Sequence, residues 1–165
     1  MTFLIISAML TIFYVGIAAW RRKSLPNSIS AMVFHLPTRW KWVWTAWLAL
    51  VTTFIAPPLI EVMPPAYFSL AAYSCIICLA MTAAMPLMPG NNDAHCCLAI
   101  AAGVLSQICV AFINYYWLLT WLLFLGVCIY STKKNNQTIL DGKGVLLVEA
   151  VCWLSLTGSI MFELM

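Results

Sequence analysis

Apolar runs close to 20 residues alternate with short polar breaks along almost the whole chain. A helix of that length rises about 30 Å, the thickness of a bilayer's hydrocarbon core. The pattern predicts an all-α, polytopic membrane fold, a bundle of six transmembrane helices forming a single domain over 1–165. The spans are expected at 2–20, 42–63, 66–88, 96–113, 115–131 and 145–162. One boundary follows from length alone. The apolar segment 96–131 would make a helix of roughly 54 Å, overrunning the hydrocarbon core by about 24 Å. The chain must therefore turn back, and Asn114-Tyr115-Tyr116 is the one polar, interface-seeking interruption in it, so the reversal is expected within 112–117. Pro57 and Pro58 should break or bend the second span, because each removes a backbone donor. Pro86 should loosen the end of the third. Residues 31–36 suit a short interfacial turn of helix, and Trp40, Trp42, Trp44 and Trp47 mark a membrane boundary.

Composition excludes a soluble domain. Hydrophobic residues make up 64% of the chain and charged ones 8%, against about 45–50% and about 25% in soluble proteins. The net charge of +3 does not indicate nucleic acid, since all eight Lys and Arg lie in 21–41 and 133–143. They read as topology signals instead. Six spans put 21–41, 89–95 and 132–144 on one face, which the positive-inside rule makes cytoplasmic, with both termini outside. No basic region precedes the first span and Arg21-Arg22-Lys23 follows it, so the run is expected to stay as a helix rather than act as a cleaved signal. The two three-helix halves show no similarity that would indicate an inverted-repeat transporter. The implied partners are membrane lipid and, through helix–helix contact, other membrane proteins, with no nucleic acid. Small residues at four-residue spacing, Ala99 with Gly103 and Ala102 with Ser106, let helices approach closely, with Gln107 and Asn114 able to bond across the contact.

The candidate chemistry is sparse. The seven cysteines lie mostly in apolar runs and read as packing residues. Cys75-Ile-Ile-Cys78 has redox-pair spacing but sits mid-span, where thiolate is disfavoured. Glu61 beside Pro57-Pro58 is the one feature suggesting an ion pathway, and its place near a span end favours a side chain pointing to water. Ionisable groups gather toward the basic face: His35, Asp93, His95 and Glu149. Asn92 or Asp93 is a natural cap for the fourth span, which puts His95 in its first turn. Glu149 lies about one turn inside the sixth. A carboxylate at that depth costs up to about 3 kcal/mol facing lipid, so Glu149 is expected to face inward and meet His95, with Ser28 or Ser30 completing a polar cluster. The bland reading is a clamp between spans four and six. The sharper one is a metal site of His35, Asp93, His95 and Glu149, because Zn²⁺ accepts both nitrogen and oxygen donors. No HxxxH or HExxH spacing is present, and no cofactor is implied.

Pro26-Asn27-Ser28-Ile29-Ser30 after a first span, a histidine before span four (His95) and then Ala99 are similar to small uncharacterised bacterial integral membrane proteins. More distantly, the layout resembles the Frag1/DRAM/Sfk1 and ceramidase-like multi-span families. The resemblance implies a bacterial inner-membrane location. The lipid hydrolases among those families use a Ser, an Asp and three His, whereas this chain has two His. The sequence thus favours an interaction or membrane-component role over an enzyme. The alternatives are a metal-dependent lipid-headgroup hydrolase at the cytoplasmic face and a small transporter.

Overall fold

A computed structural model describes residues 1–22, 28–64, 68–88, 92–135 and 144–165, with the backbone alone for Arg22, Ala31, His35, Asn92, Cys128 and 130–135. Most of the loop expected at 132–144 lies outside the described residues, as do Pro26, Asn27 and 89–91. All regular structure among the described residues is helical: α1 (Thr2–Arg22), α2 (Lys41–Val62), α3 (Ser69–Ala84), α4 (Asn92–Asn114), α5 (Thr120–Asn135) and α6 (Gly144–Glu163). Short 3₁₀ turns cover Ser30–His35, Thr38–Trp40, Met85–Leu87 and Tyr115–Leu119. Five helical stretches, the longest spanning Asp93–Val127, are long and apolar enough to cross a membrane. With large apolar side chains such as Phe13, Leu70, Ile100, Leu123 and Leu154 turned outward, this is a polytopic integral membrane protein.

Helix is what such sequences must form in lipid, where each backbone N–H and C=O needs a partner within the chain. Several polar residues inside the helices meet the same demand, the buried Thr45 hydroxyl in α2 being an exception. The hydroxyls of Thr11, Thr52, Thr82 and Thr157 each donate to the carbonyl four residues back, at 3.0, 2.8, 2.7 and 2.7 Å. Bonded in that way, a threonine carries no free polar group into the apolar layer.

Neighbours in sequence pack side by side from α1 to α4, and α6 then lies against α4. Those two helices run in the same direction. His95 and Glu149, near their N-terminal ends, both bond Ser30, while at the C-terminal ends the Asn114 amide donates to Glu163 at 3.3 Å. Between them the long apolar stretch is broken at Asn114, whose backbone is extended (φ −159°, ψ 96°) and whose side-chain oxygen accepts from the Tyr116 N–H at 3.2 Å. The helix does not continue straight through, because the Trp121 indole N–H donates to Gln107 Oε1 at 2.9 Å. In an unbroken helix those residues would be about 21 Å apart.

Two expectations need correcting in detail. Pro57 and Pro58 do not end the second helix; α2 runs through them to Val62. The carbonyls of Thr53 and Phe54, four residues back, lose those two donors. The four tryptophans also do not form one boundary belt. Trp40 and Trp42 are exposed, but Trp44 and Trp47 are buried. Trp47 stacks on Tyr14 at 4.3 Å and donates to the Leu10 carbonyl at 3.1 Å, joining α1 to α2. Pro86 falls in the 3₁₀ turn after α3, and α4 starts at Asn92, with His95 in its first turn as the cap at Asn92 or Asp93 implied.

Candidate functional site

The polar cluster lies where the segment after α1 folds against the N-terminal ends of α2, α4 and α6. Residues 28–36 bring a short polar stretch, Ser28-Ile29-Ser30, followed by apolar Met32 and Val33, both buried beside Trp44, Trp47 and Val51. Burying those two side chains draws the preceding backbone inward. Its polar groups must then find partners.

Glu149 supplies most of them. Its Oε1 accepts from the Ser28 hydroxyl at 2.8 Å, the Ser30 N–H at 3.1 Å and the Ser30 hydroxyl, while Oε2 accepts from the Ile29 N–H. The hydroxyls also approach each other to 2.9 Å. Two hydroxyl protons serve three close contacts, so two of these are hydrogen bonds at any moment. The carbonyls of the same segment turn the other way. The Trp44 indole N–H donates to Ile29 O at 3.4 Å, and His95 Nε2 lies 3.2 Å from Ser30 O. The other ring nitrogen of His95 lies 3.2 Å from Thr82 O at the end of α3. The ring is 1% exposed and is walled by Phe34 at 5.1 Å and Trp44 at 5.3 Å. Ser30 therefore bridges α4 and α6, receiving Glu149 on its N–H side and His95 on its carbonyl side.

The remaining candidates are placed differently. Asp93 is exposed in the first turn of α4. At about 100° per residue it projects roughly 200° round the helix from His95, and it acts there as the acid that suits a helix N-terminus. The side chain of His35 lies outside the described residues. Among the described residues no three His, Cys, Asp or Glu side chains are grouped to hold a metal ion. Glu61 is exposed at the other end of the bundle. Cys75 is buried, with its thiol directed at Ala102 O at 3.6 Å, and Cys78 is a free thiol one turn on.

Sequence reasoning misplaced Trp44 and anticipated the cross-helix bonding of Gln107. Trp44 forms the floor of the cluster rather than part of a surface belt; its spacing of three from the equally buried Trp47, on a helix whose other tryptophans face out, was the available signal. Gln107 holds a second, deeper network. It accepts from Trp121 and from the Ser155 hydroxyl at 3.0 Å, and donates to Ser106 Oγ at 3.1 Å and Cys152 O at 3.4 Å. With Ser159 fully buried one turn on, the facing sides of α4 and α6 form a polar seam. No family model, curated protein or solved structure matches the chain.

Proposed function

We propose that this protein is a non-catalytic component of its membrane, acting through helix-mediated association, and that Glu149, Ser28, Ser30 and His95 form an internal clamp. The observation that carries the reading is that, among the described residues, the polar groups of the cluster are turned on one another. Both carboxylate oxygens, both ring nitrogens and the N–H and C=O groups of Ile29 and Ser30 are turned toward one another or toward Trp44 and Thr82. A hydrolase at this position needs a carboxylate or imidazole with a free lone pair facing an approach for substrate. Here His95 is buried against two carbonyls and Asp93 points away. The seam below the clamp supports packing rather than passage for the same reason, since its polar atoms bond each other.

In this reading the chain crosses the membrane six times, with 21–41, 89–95 and 132–144 on the cytoplasmic face. Support comes from the parallel course of α4 and α6, which requires the intervening α5 to return, and from all eight basic residues then sharing one side. The resemblance to small bacterial membrane proteins favours the bacterial inner membrane. Zinc binding separates the clamp from the hydrolase. Purified protein equilibrated with Zn²⁺ and then desalted should retain less than one equivalent, equally for the unaltered chain and for Glu149→Gln. Stoichiometric zinc that disappears in Glu149→Gln would overturn the reading in favour of a metal site.

A further inference from the structure

We infer that the adjoining ends of α1 and α2 form a binding patch for the headgroup of an anionic phospholipid, with Arg21, Arg39 and Lys41 supplying charge and Trp20, Trp40 and Trp42 setting its depth. The two helices are antiparallel neighbours. The ring centres of Phe3 and Phe54 are 6.0 Å apart, the Ser7 hydroxyl donates to Val51 O at 3.3 Å, and Tyr14 stacks on Trp47 at 4.3 Å. Each step up α1 is thus matched by a step down α2. The same register carried onward brings Trp20 and Arg21 level with the start of α2. Arg21 is seven residues beyond Tyr14, so it emerges on the face of α1 that packs against α2. Arg21, Arg39, Trp40 and Trp42 are exposed, Lys41 is half-buried beside them, and Trp20 is 80% exposed.

The sequence supplies the sign. Arg21, Arg22, Lys23, Arg39 and Lys41 are five of the eight basic residues, and no Asp or Glu precedes Glu61. The segment joining α1 to α2 therefore brings no carboxylate of its own. Exposed indoles rest in the headgroup layer, so the cations beside them meet phosphate, which a guanidinium engages through paired N–H bonds. The surface below makes the occupant a lipid rather than a soluble anion. Ile17, one turn under Arg21 on the same face, and Phe13, one turn deeper, are 39% and 68% exposed. Acyl chains lying on them carry a headgroup to Arg21. The inference rests on reading this end as the cytoplasmic edge of the membrane, where each cation near anionic lipid adds about fivefold in affinity.

The test titrates the full-length protein in detergent with pyrene-labelled phosphatidylglycerol or phosphatidylcholine, reading binding from energy transfer between tryptophan and pyrene. The unaltered protein should bind the glycerol lipid more tightly. Combining Arg21→Gln, Arg39→Gln and Lys41→Gln should weaken that lipid by about fivefold for each charge removed and leave phosphatidylcholine unchanged. Arg39→Gln alone, at an exposed position, should cost about fivefold, which keeps the test available if the triple variant does not fold. Lys133→Gln with Lys134→Gln, in the other basic loop, should keep the preference. Equal affinity of the unaltered protein for the two lipids, or an equal loss in the Lys133 and Lys134 variant, overturns the patch. Displacement of the lipid by free glycerol phosphate at matched ionic strength overturns it in favour of a soluble anion. Labelling of a cysteine at position 137 tests the topology separately: a missing lipid preference with that site inside the cell defeats the patch alone, and labelling from outside defeats the reading beneath it.

Discussion

Glu149 shows how one side chain at the membrane edge can define the fold around it. Its carboxylate collects the N–H groups of Ile29 and Ser30 and the hydroxyls of Ser28 and Ser30. Glu149→Ala would leave those part-buried donors without an acceptor, at a cost of about 3 kcal/mol. Glu149→Gln should lose about 1 kcal/mol, because one amide oxygen still accepts at the Oε1 position while the NH₂ group opposes the Ile29 N–H. Thermal unfolding in detergent should rank the unaltered protein above Gln and Gln above Ala; equal losses for the two would mean that the hydrogen bonds are unimportant. This part of the site was legible from energetics, since a carboxylate one turn inside an apolar run has to face a partner. The backbone contribution was not. No pattern of residue types announces that 28–30 will turn its N–H groups to α6 and its carbonyls to α2 and α4.

The helices themselves were legible because lipid leaves the backbone so few choices, and the apolar runs match α1, α2, α3 and α6 to within a few residues. The expected break at Pro57-Pro58 did not occur, α2 continuing through both prolines, whereas the start of α4 at Asn92 puts His95 in its first turn, as the capping residues implied. The break at Asn114 depends on packing that the sequence only hints at. Trp117 lies flat on Gly158, where a Cβ would fall among its ring carbons. Gly158→Ala should therefore displace the indole and destabilise the turn by roughly 1–3 kcal/mol. Adding Trp117→Leu should recover part of the loss in the same unfolding measurement; strictly additive losses would indicate that the two positions do not share this contact. The return of α5 is checked by the pair Gln107→Cys and Trp121→Cys in a cysteine-free background. A short bifunctional thiol cross-linker should join the two within one chain, since side chains that meet at their tips leave the Cα atoms beyond disulfide reach; failure to do so while each single cysteine is reactive would argue against the hairpin.

Across the whole molecule, the arrangement concentrates polar chemistry at the end where α2, α4 and α6 begin and leaves apolar side chains around the girth. Among the described residues, Arg39 and Lys41 stand at the clamp end, where α2 begins, and Glu61 and Glu163 at the opposite end; the proposed six-crossing topology puts the other basic residues on the clamp side as well. A cysteine at position 137 should accordingly react with a membrane-impermeant reagent only after cells are opened; labelling of intact cells would reverse or break the six-crossing topology. The account depends most on the clamp holding residues 28–36 against the bundle, and the exposure of Val33 reports that directly. In a cysteine-free background, Val33→Cys, at a site now fully buried, should resist an aqueous maleimide when Glu149 is present and react readily with Glu149→Ala. A second cysteine replacing Ile160, deep between α6 and its neighbours, should stay protected in both, showing an intact bundle. Equal protection of position 33 with and without Glu149, over an intact bundle, would contradict the clamp.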